Sequence, residues 1–299
     1  MNDQSFKLNI LILKSNHIDY KENKYVTINV KNKLEEGSYG IVFMLENGHV
    51  IKFFKNSTSK NTLFEESNNL IPIKNENREL IFYYKYVNES KKEYNYIINL
   101  YAIGIIRNKI IYDDNKLDIN SYFIILPYCI PFYKCYNIKN KPLIHNKNGL
   151  TFTIKVMKRL IEIIHFFETK YNLINLDLKL NNFMFTEKTR DLNNLIMLDF
   201  SIIKTKTKTK YDIENKYFIW PNINNTLIEI IPSYSTCING LELLFGYDQI
   251  IKLPNNELIN IYLKIIEKKN KNIYDIFYNG LILRINTDNF KKLLNAYVS

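Results

Sequence analysis

Cysteine is scarce in this chain. Its three cysteines, Cys129, Cys135 and Cys237, form no Cys-x-x-Cys pair and no Cys/His cluster. That argues against a disulfide framework and against a zinc finger or ribbon, and a reducing, cytoplasmic setting is the expectation. Long apolar runs are missing too: none approaches the roughly 20 residues that span a bilayer. The start, Met1–Asn9, is polar and unlike a signal peptide. Glycine is sparse, 8 in 299 residues, so a glycine at a loop tip carries information. There is no internal repeat, and Lys204–Lys210 (KTKTKTK) is the low-complexity run.

Against these absences stand 46% hydrophobic and 24% charged residues, the balance of a globular protein. The length suits one large domain or two lobes sharing a cleft. Asn, Ile, Lys and Tyr are used heavily throughout, which reads as drift from an AT-rich genome. The formal charge of +11 favours anionic partners. No recognition helix, zinc spacing or aromatic RNA-binding signature is present, so nucleic acid is not an expected partner.

Hydrophobic periodicity changes along the chain. Tyr25–Val30 alternates, a turn follows at Glu36-Gly37, Ile41–Leu45 is apolar, Glu46-Asn47-Gly48 turns, and Val50–Phe54 is apolar again. Asn-Gly between two such runs is a strong hairpin signal. Residues 60–90 are charged, with helical spacing in Leu80, Ile81, Tyr84 and Val87, and Tyr96–Ile106 and Ser121–Tyr128 read as strands. Leu150–Tyr171 is an amphipathic helix with Ile154, Met157, Leu160, Ile161, Ile164 and Phe167 on one side. Glu257–Lys268 and Asp288–Ala296 are later helix candidates. The expected fold class is α+β: a small antiparallel-sheet lobe with one helix over residues 1–128, and a larger, mainly helical lobe over residues 129–299. Residues 1–23 and 132–149 carry no assignment.

Four segments carry chemistry. In Leu34-Glu35-Glu36-Gly37-Ser38-Tyr39-Gly40-Ile41-Val42-Phe43, glycines between strands let backbone N–H groups approach a phosphate; alone, such a pair is more often a plain turn. Lys52 sits among apolar residues in Val50-Ile51-Lys52, where an ammonium needs an anionic partner; an edge-strand Lys facing water is the bland alternative. In Ile174-Asn175-Leu176-Asp177-Leu178-Lys179-Leu180-Asn181-Asn182-Phe183, Asp177, Lys179 and Asn182 stand among apolar side chains. A carboxylate so placed can orient a hydroxyl and accept its proton, a Lys can neutralise a phosphoryl group, and an Asn carbonyl can hold Mg2+. Finally, the apolar Leu195–Leu198 ends in Asp199, a second hard-oxygen donor.

In this order the segments resemble the eukaryotic-type protein kinases over roughly residues 30–250. The resemblance implies a bilobal protein-kinase-like fold and transfer of the γ-phosphoryl group of ATP to a protein hydroxyl. It makes Gly37, Ser38 and Gly40 a loop over the phosphates and Val42 an adenine contact. It makes Lys52 the ligand of the α- and β-phosphates and Leu126, Pro127, Tyr128 and Cys129 the hinge. Asp177 becomes the catalytic base with Lys179 its companion, and Asn182 and Asp199 become ligands of Mg2+, with Mn2+ as an alternative ion. Lys179 two residues after Asp177 resembles the Ser/Thr-specific members. For the helix carboxylate that pairs with Lys52, Glu79 fits best and Glu66 is second.

The chain also departs from the family. Glu35 stands at the first glycine of the loop, Asn175 and Leu176 where His and Arg are usual, and Ser201 at the last position of the Asp-Phe-Gly triplet. Asp-Phe-Ser resembles some large DNA virus kinases, which implies a viral source. Trp220-Pro221-Asn222 is aligned with Ala-Pro-Glu, leaving Ser235–Gly246 as the core helix; the alternative aligns Gly240-Leu241-Glu242 there. Lys204–Lys210 falls in the activation segment, as a solvated run or as a docking strip for acidic protein substrates. An inactive pseudokinase scaffold and a small-molecule alcohol kinase remain the competing readings.

Overall fold

The computed structural model describes residues 6–36, 40–58, 79–80, 82–83, 96–108, 110–112, 115–117, 121–136, 138, 141–187, 189–200, 203–205, 210–211, 226–251 and 256–298. The chain divides into two compact units, one comprising Met1–Cys129 with Leu198–Ile202, the other Ile130–Met197 with Ile203–Ser299.

The first unit is built on alternation. β1 (Phe6–Ser15) turns Leu8, Ile10 and Ile12 inward and Lys7 and Asn9 outward. β2 (Tyr25–Glu36), β3 (Gly40–Leu45) and β4 (His49–Thr58) follow as antiparallel neighbours, the last two joined by a turn in which Gly48 takes φ +82°. β5 (Ala102–Ile106) and β8 (Ser121–Pro127) complete the set, while β6 (Ile110–Tyr112) and β7 (Asn115–Leu117) form a separate hairpin. The strand order β1-β2-β3-β4-β8-β5 closes on itself, because β1 pairs with β5 as well as with β2. The sheet expected from the sequence is therefore a six-stranded barrel, and the unassigned N-terminal residues supply the closing strand. Closure removes the unpaired edges an open sheet would carry. Phe43, Phe53, Phe123, Ile10, Val30 and Ile51 fill the interior.

Of the charged segment after β4, Glu79-Leu80 and Phe82-Tyr83 are helical and all four are buried. Ile81, Tyr84, Val87 and Glu66 lie outside the described residues.

In the second unit, β9 (Ile130–Pro131) and a short helix, Phe132–Tyr136, precede the long helix Gly149–Tyr171. Its buried side chains include the periodic positions Ile154, Met157, Leu160, Ile161, Ile164 and Phe167. The helix stops at Asn172, which takes the left-handed conformation (φ 54°) and gives its N–H to the Phe167 carbonyl. That abrupt stop delivers the chain into β10 (Leu173–Asn175), which pairs with β13 (Ile203–Thr205). β11 (Phe183–Phe185) lies between β12 (Leu195–Met197) and β9. β14 (Lys210–Tyr211) pairs with β15 (Thr226–Leu227). Helix Ile231–Phe245 is buried over nearly its whole length, as an apolar-all-round helix must be. At Gly240 a Cβ would meet Met157 Sδ at 2.6 Å and Phe277 Cζ at 2.9 Å. Helices Asn256–Lys269, Lys271–Leu281 and Thr287–Val298 follow. The middle one has no counterpart among the sequence expectations.

Candidate active site

Register decides which side chains accompany Lys52. It lies opposite Val42 on β3 and Ile124 on β8, and Val42 in turn lies opposite Glu35. Because side chains alternate, this row faces away from the barrel interior that holds Ile41, Phe43, Ile51 and Phe53. Leu126 joins the same face through Val50. Gly40 has a reason to be glycine that the sequence does not disclose: a Cβ there would sit 2.5 Å from the Phe53 carbonyl oxygen and 3.3 Å from Lys52 Cε. Gly37 and Ser38, with Tyr39, fall outside the described residues.

The Lys52 ammonium donates to Glu79 Oε2 at 2.5 Å, and Glu79 is 3% exposed. Of the two candidate carboxylates, Glu79 and Glu66, the structure therefore brings Glu79 to Lys52. Burial opposes both charges. It pushes the Glu79 carboxyl up to about 7, against the pull of Lys52 and with Asp199 adding to the rise. On Lys52 burial acts downward, but Glu79, Asp199 and Glu35 together hold its pKa above the usual lysine value.

Asp199 belongs to the same unit and has φ 62°, a left-handed backbone that a residue with a Cβ adopts at a cost. The next side chain explains how that turn is held. Phe200 is 1% exposed, stacks on Phe82 with centroids 4.1 Å apart, and meets Tyr83 edge-on at 5.6 Å. The helical turn that presents Glu79 thus also anchors Phe200.

In the second unit, Asp177 lies two residues beyond the end of β10 and is buried. Its N–H donates to the Asn175 side-chain oxygen at 2.9 Å, and Asn175 Nδ2 reaches Met197 Sδ at 3.7 Å. Asn175 thus shapes the backbone of the loop. Lys179 Nζ donates to Asp177 Oδ2 at 2.8 Å, and Asn182 Nδ2 donates to the same oxygen at 3.0 Å and to the Asp177 carbonyl at 2.8 Å. A 3-10 turn, Leu180–Asn182, returns Asn182 to the aspartate. Asp177 Oδ1 is buried and has no hydrogen-bond partner among the described residues. Such an atom calls for an explanation, and a carboxylate that presents one oxygen to an incoming hydroxyl provides one.

Asn239 is a site residue that the sequence reading does not name. Its Nδ2 donates to the Leu178 carbonyl at 2.9 Å, between Asp177 and Lys179. It is 1% exposed, and its Oδ1 has no partner among the described residues. A lone amide inside an apolar helical stretch, just before Gly240, is the signal that could have found it. Glu242 on the same helix accepts a hydrogen bond from the Tyr133 hydroxyl, and burial pushes its carboxyl up to about 8.

Around the expected hinge, Leu126 and Cys129 are buried and Tyr128 is half-buried. Cys129 Sγ lies 3.8 Å from the Pro127 carbonyl oxygen, and burial raises its thiol to about 12, so it stays protonated. Ser201, Trp220, Pro221, Asn222 and residues 206–209 of the basic run lie outside the described residues.

Asp199 in the first unit carries a carboxylate and Asn182 in the second an amide carbonyl, each of the oxygen-donor kind that Mg2+ takes, and the unpartnered Asp177 Oδ1 shows a loop not satisfied by its own hydrogen bonds.

Comparison with solved structures defines the class: the chain has the α+β fold of a protein kinase domain. A structure described as "ROP18 kinase domain in complex with AMP-PNP and sucrose" matches over 98% of this chain and 86% of its own, with a TM-score of 0.63 and 9% identity. At that identity the likeness concerns the fold. No family model and no curated protein sequence matches the chain.

Proposed function

We propose that the chain is an ATP-dependent protein kinase that phosphorylates Ser or Thr. The observation that carries the reading is the buried Lys52–Glu79 pair, in a kinase fold that retains Asp177, Lys179, Asn182 and Asp199. Lys52, oriented by Glu79, binds the α- and β-phosphates. Val42, Leu126, Tyr128 and Cys129 receive the adenine, and Gly37, Ser38 and Gly40 cover the phosphates. Asp177 aligns the acceptor hydroxyl and takes its proton, and Lys179 screens the γ-phosphate. Asn182 and Asp199 would hold Mg2+, whose chemistry is to neutralise charge on the phosphate chain. The remaining work is positional and electrostatic.

The protein substrate is proposed to be acidic on the strength of the +11 charge and the Lys204–Lys210 run. The Asp199-Phe200-Ser201 triplet and the AT-rich composition support a large DNA virus as source, acting in host cytoplasm. No helix among the described residues is long and apolar enough to cross a membrane.

One observation favours the pseudokinase reading. Glu35 replaces a glycine and stands in the same cross-strand row as Lys52, close enough to act on its charge, so it would oppose phosphate binding there. Incubation with Mg2+-ATP and mixed protein substrates, beside Asp199→Ala, decides between the two. Phosphate incorporation by the wild type alone supports the kinase; equal incorporation by both sinks it. Small alcohols in the same assay, phosphorylated in preference to protein, would move the reading to an alcohol kinase.

A further inference from the structure

Histidine is sparse in this chain, four residues among 299. Two of them meet in space. His17 follows β1 and His49 opens β4; their rings stand 5.2 Å apart, nearly perpendicular. Asp19 completes the group, its Oδ2 3.5 Å from His17 Nδ1. One ligand atom from each of the three lies within 4.8 Å of the others. Among the described residues this is the one set of three or more His, Cys, Asp or Glu side chains close enough to share an ion.

We propose that His17, Asp19 and His49 form a binding site for a borderline divalent transition-metal ion, Zn2+ in the first instance, on the barrel and separate from the residues assigned to phosphoryl transfer. Two imidazoles and a carboxylate are donors that suit Zn2+, whereas Mg2+ and Ca2+ take oxygen alone. Donors on a tetrahedral Zn2+ sit about 3.4 Å apart, given bonds of about 2.1 Å. Closing the set from 4.8 Å to about 3.4 Å therefore needs a relative shift of about 1.4 Å, within reach of Asp19, which is exposed, and the half-buried His17.

The surroundings fit a ligand set better than a chance surface pair. The Tyr20 hydroxyl and the Asn47 amide both lie against His49 Nδ1, at 2.8 and 3.2 Å, and hold the ring in a fixed orientation. Tyr101 packs on both imidazoles, with centroids 4.2 Å from His17 and 4.7 Å from His49. The site also links distant chain. His17 lies between β1 and β2, His49 on the β3–β4 hairpin, and His49 is opposite Pro127 at the end of β8. An ion there would tie the β1–β2 connection to the β3–β4 hairpin of the closed barrel and raise its stability by mass action.

The test uses the full chain stripped with a chelator and titrated with ZnCl2, followed by calorimetry and by thermal unfolding. The expected result is one saturable equivalent and a Tm that rises with Zn2+, with no step in an MgCl2 titration that His17→Gln abolishes. His17→Gln, Asp19→Asn and His49→Gln should each weaken Zn2+ binding at least tenfold, and His145→Gln, an exposed histidine elsewhere, should not. Co2+ provides a readout independent of stability: the wild type should show visible d–d absorption of a nitrogen- and oxygen-ligated ion, and His17→Gln should lose it. Zn2+ binding that is weak and unsaturable, or equally strong in His17→Gln and His145→Gln, overturns the proposal.

Discussion

The Glu79 carboxylate stands 2.5 Å from the Lys52 ammonium, in a setting where burial works against both charges. The pair holds because each supplies what desolvation removed from the other, a balance that breaks badly when only one partner is deleted. Removing one charge of such a pair costs about 3–5 kcal/mol in general. Lys52→Met should cost less here, since a Glu79 carboxyl already raised to about 7 can take a proton in place of its lost partner. In a thermal-shift titration with Mg2+-ATP, wild type should be stabilised by nucleotide and Lys52→Met should not.

The same pair sets a pH dependence. The folded pKa of Glu79, about 7, exceeds its ordinary value of 4.5, so between these values the folded state holds a proton the unfolded state has lost. Its contribution is complete below pH 4.5 and is lost as pH rises through 7. Glu242, pushed to about 8, acts in the same direction over a window reaching higher. Urea midpoints should therefore fall between about pH 5 and pH 8.5, and Glu79→Gln and Glu242→Gln should each flatten part of the slope. An unchanged slope in both variants would show that the carboxyls are ionised in the folded protein at low pH.

Glu35 shares a cross-strand row with Val42 and Lys52. A carboxylate there competes with phosphates for the Lys52 charge. Glu35→Gly should tighten ATP binding by roughly three- to tenfold at low salt, and less at high salt where the exposed charge is screened. Equilibrium dialysis with labelled nucleotide at two ionic strengths reads both effects.

Asn239 holds the Leu178 carbonyl, the backbone between the candidate base and its lysine. Asn239→Ala leaves that buried oxygen without its donor, at a cost of about 1–3 kcal/mol. The expected result is a kcat reduced by roughly ten- to a hundredfold with KM for ATP little changed, because misplacing a reacting group lowers rate more than nucleotide affinity.

On the proposed kinase reading, Leu176 stands where the resemblance places an arginine that grips an activation-loop phosphate, and it is buried. A buried Leu has no charge with which to bind phosphate. Phosphatase-treated and untreated protein should therefore phosphorylate substrate at equal rates; loss of activity after phosphatase treatment would refute this.

Several elements are legible in the amino-acid order. The Asn47-Gly48 turn, the apolar runs around it and the long helix with Ile154, Met157, Leu160, Ile161, Ile164 and Phe167 follow from periods of 2 and 3.6 residues. Gly40 and Lys52 stand out only through their order and spacing relative to Asp177 and Asp199. β1 is harder to read although its inward Leu8, Ile10 and Ile12 alternate, because the run sits in a polar start and its second partner, β5, is far along the chain. Asn239 is hidden because a hydrogen bond to a distant loop leaves no periodic trace.

Local chemistry, then, is enough to set element type and the inventory of reactive side chains, since both depend on neighbours a few positions away. Barrel closure, the choice of Glu79 for Lys52, the left-handed backbone of Asp199 beside the buried Phe200, and the meeting of His17 with His49 are decided only on folding. Each depends on contacts between residues far apart in the chain, and loop closure and packing settle those together.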